Sequence, residues 1–68
     1  MSEAPQYPEV AVQLSGEDGN VYSVIGRVQG ALRKAGHRDA ATEFSQAARA
    51  AQSYDEVLQL AMRTVDVS

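Results

Sequence analysis

Sixty-eight residues fit one domain and no more, and a chain this short buries only about 60% of the surface its unfolded form exposes. With no Cys, disulfides and thiolate metal sites are excluded, and a single His argues against a His-based zinc site, so the core must come from aliphatic packing or be completed by a second copy. A formal net charge of −3 denies the chain the basic footprint that nonspecific nucleic-acid binding requires.

The charges fall in blocks. The acids of residues 1–26 (Glu3, Glu9, Glu17, Asp18) have no base among them, and the bases of residues 27–38 (Arg27, Arg33, Lys34, Arg38) have no acid. From residue 39 on, Asp39, Glu43, Asp55, Glu56 and Asp66 outnumber Arg49 and Arg63. The N-terminus lacks the basic start of a signal peptide, and no apolar run nears the roughly 20 residues of a membrane span, so a cytoplasmic protein without membrane contact is expected.

In chain order, residues 1–8 read as a flexible tail, because Pro5 and Pro8 favour extended backbone and lack N–H donors. Val10, Val12 and Leu14 alternate with Ala11 and Gln13, the period of a short strand at residues 9–14. The run Ser15-Gly16-Glu17-Asp18-Gly19-Asn20 is turn-like. Asn20 is a good N-cap for a first helix whose apolar face is Val21, Val24, Ile25, Val28, Leu32 and Ala35. Gly36 suits the C′ position, and Arg33, Lys34, His37 and Arg38 gather where the helix dipole favours cations; His37 reads as a solvated residue there.

Asp39 is placed to cap an Ala-rich second helix reaching about Ala51, with Phe44 as its one large apolar residue. Ser53 and Glu56 match a capping box that opens a third helix with the apolar stripe Val57, Leu58, Ala61, Met62 and Val65. The closing Thr64-Val65-Asp66-Val67 alternates again and pairs naturally with residues 10–14. The expected fold is a single compact α+β domain over residues 9–68, mostly helical, with a short N-terminal strand and a second at the C-terminus.

Catalysis finds little support. The one imidazole stands among bases, no Ser lies in a G-x-S-x-G elbow, and no phosphate loop occurs, so an enzyme is not expected. An EF-hand counted from Asp18 fails at Ser23 and Gln29, and neither metal nor cofactor is expected. Gly26 and Gly30, four apart inside the first helix, each cost about 1 kcal/mol relative to Ala. Close packing of the second helix on that face is the favoured explanation, and a docked partner or second copy is the other. The bases between Arg27 and Arg38 have no interleaved aromatics to act as stacking platforms, which disfavours nucleic-acid contact. What remains is the acids at three helix starts: Glu17 and Asp18, Asp39 and Glu43, Asp55 and Glu56. The helix dipole explains their placement, yet carboxylates held there also point outward in fixed positions.

The segments VQLSGEDGN (Val12–Asn20), VIGRVQGALRKAG (Val24–Gly36) and SYDEVLQLAMRTVDVS (Ser53–Ser68) resemble a group of very short bacterial and phage-borne proteins, and the chain is similar to small anti-CRISPR proteins that act on type I-C systems. The resemblance covers nearly everything from Val10 onward, and none of the segments is a catalytic signature. It implies an inhibitor in the host bacterial cytoplasm whose partner is the type I-C effector complex, Cascade, at its large DNA-recognition subunit. It also implies a reason for acidity, since carboxylates can stand where phosphates would lie, opposite Lys and Arg. The expected contact set is Glu17, Asp18, Asp39, Glu43, Asp55 and Glu56, on a monomer or weak homodimer that does not itself touch nucleic acid. The alternative is a small regulatory or toxin-neutralising protein of a mobile element that binds a protein through an apolar helix face.

Overall fold

A computed structural model describes residues 4–14 and 20–68. The order is β1 (Tyr7–Val12), α1 (Val21–Lys34), α2 (Arg38–Ala50), α3 (Tyr54–Thr64) and β2 (Val65–Val67), the mostly helical α+β arrangement that the sequence predicts. The two strands pair in parallel, and three helices fill the long connection that parallel pairing demands.

β1 buries Val10 and Val12, with Leu14 just beyond it, and exposes Glu9, Ala11 and Gln13. Its register runs Tyr7 to Val65, then Ala11 to Asp66 and Val12 to Val67, with an irregularity between Tyr7 and Ala11 that spans Pro8, the residue with no N–H to give. Pairing continues past the strand ends, where Leu14 N–H donates to the Ser68 carbonyl (2.8 Å) and Ser68 N–H to that of Val12 (3.0 Å). At the other end Gln6 N–H donates to the Arg63 carbonyl at 2.8 Å. The strand therefore starts earlier than the alternation indicated. Tyr7 and Pro8, read as tail, belong to it, because Tyr7 is half-buried and packs on the core.

Each helix is set by local chemistry. Asn20 caps α1, its side-chain oxygen accepting from Tyr22 N–H at 2.9 Å. The far end closes on Gly36, whose φ of +92° only Gly adopts without strain. There Gly36 N–H bonds the Arg33 carbonyl (3.0 Å) and His37 N–H that of Leu32 (2.8 Å), the paired bonds of a Schellman end. Val24, Ile25, Val28 and Leu32 face the core as predicted, while Ala35 is exposed. α2 begins two residues earlier than the sequence implied. His37 holds the N-cap position without a side-chain bond, so Asp39 sits inside the first turn and does not cap. Ala41, Phe44, Ser45 and Ala48 form its buried face. In α3, Ser53 Oγ accepts from Glu56 N–H (3.2 Å), and the Glu56 carboxylate accepts from Gln52 N–H (3.0 Å), so the capping box is present with its return bond made one residue earlier. Val57 and Ala61 are buried, and Val65 carries the stripe into β2, but Met62 is 60% exposed and leaves the stripe.

The glycine pair overturns its favoured explanation. Gly26 and Gly30 are exposed, and a Cβ built on either meets no atom within 4 Å, so α2 does not pack on them. Gly26→Ala and Gly30→Ala are each expected to stabilise the fold by about 1 kcal/mol, raising the melting temperature by roughly 4–8 °C apiece. Circular-dichroism melts check this. Gly30→Leu, which close packing on α2 would forbid, is expected to fold.

Candidate functional site

The helix pair that carries most of the predicted contact residues is antiparallel. The start of α2 lies beside the end of α3, where Ala40, Glu43 and Phe44 share a hollow with Leu60 and Thr64. The end of α2 lies beside the start of α3, where Ala50 and Ala51 share the adjoining hollow with Glu56, Gln59 and Arg63. Ala47 and Leu60 line both, so the two hollows form one groove. Small alanines on α2 keep its floor shallow.

Glu43 and Glu56 stand exposed on this groove, one in each of its two hollows. Asp39 is exposed one turn before Glu43, on the same face of α2. Glu43 and Glu56 thus share the groove, and Asp39 lies in a neighbouring hollow that shares Ala40 with it. Asp55 is engaged within its own helix, its carboxylate accepting from Gln59 Nε2 at 2.9 Å. Glu17 and Asp18 lie outside the described residues.

Two features limit the negative character of this side. Arg63 shares the groove with Glu56, and Arg38 shares a hollow with Asp39, so the base-rich end of α1 adjoins the acidic stripe. The Glu56 carboxylate also holds the Gln52 N–H, which gives it a structural task as well as an exposed charge.

Sequence reasoning missed a second cluster. Glu9 Oε2 lies 3.1 Å from His37 Nε2, which must be an N–H donor towards a carboxylate, and the Tyr7 and His37 rings stand 4.3 Å apart between centroids. His37 is therefore engaged by β1 and is not simply solvated. The contact spans 28 residues, and no spacing rule joins positions so far apart. Glu9's own backbone N–H, and then His37, hold its carboxyl below the ordinary 4.5. A depressed folded-state pKa means the contribution is present above the unfolded value and disappears as pH falls through the folded one. Wild type is thus expected to lose melting temperature below about pH 4.5 more steeply than Glu9→Gln, with the two curves converging at the acid end. Melts across pH 2–7 check this.

No group of three or more potential metal ligands exists among the described residues, and no helix among them is long and apolar enough to cross a membrane. Comparison with protein-family profiles, with curated proteins and with solved structures produced no match.

Proposed function

We propose that the chain is an inhibitor of a type I-C CRISPR effector, working by surface contact and without catalysis. It binds Cascade through carboxylates on the α2/α3 side and blocks target-DNA recognition. The observation that carries this reading is that Glu43 and Glu56 stand exposed on the α2/α3 groove, with Asp39 exposed one helical turn before Glu43. Carboxylates fixed on helices lose little entropy when they meet Lys or Arg, and charge-assisted bonds of that kind are roughly twice as strong as neutral ones. A net charge of −3 also keeps the chain from competing for DNA itself. The resemblance of the three quoted segments supplies the target, and the carboxylate side supplies the means.

The test is a gel shift of target DNA by purified type I-C Cascade. Preincubation with the chain is expected to abolish the shifted band. A band that persists while the chain co-migrates with Cascade would leave binding in place and end the claim of blocked DNA recognition.

A further inference from the structure

A second surface, which meets the carboxylate groove at Ala51, is built where the start of α1 meets the end of α2 and the start of α3. There a cleft of about 720 Å³ opens between Tyr22 and Tyr54, with Ile25, Ala48 and Val57 from the buried core at its base. The volume is within the range of about 300–1,000 Å³ typical of ligand-binding clefts. Tyr22 is 75% exposed, although it immediately follows the half-buried Val21 at the helix start. Arg49 is the one charged residue among the described residues that line the cleft, and it makes no ion pair among the described residues. Its guanidinium is exposed beside the two tyrosines and so is open to a carboxylate from outside. Tyr and Arg are also the side chains most enriched where binding energy concentrates, because they combine large rigid area with directional polar ends.

The geometry points to a docking site for a protein segment that presents an apolar side chain next to a carboxylate: we infer that the apolar group enters between Tyr22 and Tyr54 and the carboxylate pairs with Arg49. Charge complementarity selects this occupant. A basic segment would meet Arg49 as a like charge, and a purely apolar one would leave the guanidinium partly desolvated without a partner. The site does not depend on Cascade and is testable on the isolated chain.

The probe is a pair of blocked pentapeptides, acetyl-Gly-Leu-Phe-Asp-Gly-amide and its twin with Asn in place of Asp, titrated into isotope-labelled protein and followed by amide chemical shifts. The acidic peptide is expected to move the signals of Val21, Tyr22, Arg49 and Tyr54 and to bind about tenfold tighter than its twin, with Arg49→Gln abolishing that difference. Gln sustains a helix nearly as well as Arg, so the variant stays folded. Equal binding of the two peptides, or no movement of these signals with either, would overturn the proposal. So would movement of the same signals with protein concentration alone, which would assign the cleft to a second copy.

Discussion

Leu32→Ala is expected to unfold most of the population near physiological temperature. Leu32 is the largest of the fully buried side chains, with no exposed surface. It sits on the last turn of α1, and its carbonyl accepts one of the two bonds that close the helix on Gly36 and His37. Truncating a buried Leu leaves a cavity that a small core cannot collapse around, at about 3–5 kcal/mol. A domain of this length holds only about 3–10 kcal/mol in total. The melting temperature should fall by roughly 15 °C or more. A fall under about 5 °C would mean that the core is not centred on α1 as described.

The largest effect on binding is expected from Asp39→Lys combined with Glu43→Lys. The two carboxylates lie one turn apart, exposed, and neither is bonded within the described residues as Asp55 and Glu56 are. Reversing both turns two attractive contacts into repulsive ones, and about 100-fold weaker binding to Cascade follows from roughly 2.8 kcal/mol of lost complementarity. The fold should tolerate the change. Asp39 favours the start of α2 through the helix dipole, so its reversal costs about 0.5–1 kcal/mol and a few degrees of melting temperature. Glu56 is left out of the variant because its carboxylate holds Gln52 N–H, and reversing it would mix loss of a cap with loss of a contact. Salt separates this mechanism from docking through an apolar face. Carboxylate contacts weaken as the screening length falls to about 10 Å at 0.1 M, whereas apolar contacts respond little.

Much of the fold was legible because its determinants are local. Asn20, Gly36 and the Ser53–Glu56 pair mark helix ends through bonds that reach no more than five residues. The period-two runs at both termini indicated two strands that could pair. Strand direction was not legible, because alternation is the same in parallel and antiparallel ladders. The start of β1 was missed because Pro5 and Pro8 look like tail composition, while Tyr7 is held by Val65 and His37, both distant in sequence. Gly26 and Gly30 misled for a related reason: a rule about what glycine costs says nothing about which face of α1 meets α2. For the site, the i, i+4 spacing of Asp39 and Glu43 put both on one face, but their alignment with Glu56 depends on the antiparallel packing of α2 and α3. The Tyr22–Arg49–Tyr54 cleft joins three helices, and no single segment contains its pattern.

The affinity of the Asp39→Lys, Glu43→Lys double variant for purified type I-C Cascade, measured beside wild type at the same ionic strength, tests the central claim most directly. A folded variant bound about 100-fold more weakly is the predicted result. A folded variant bound as tightly as wild type would contradict it.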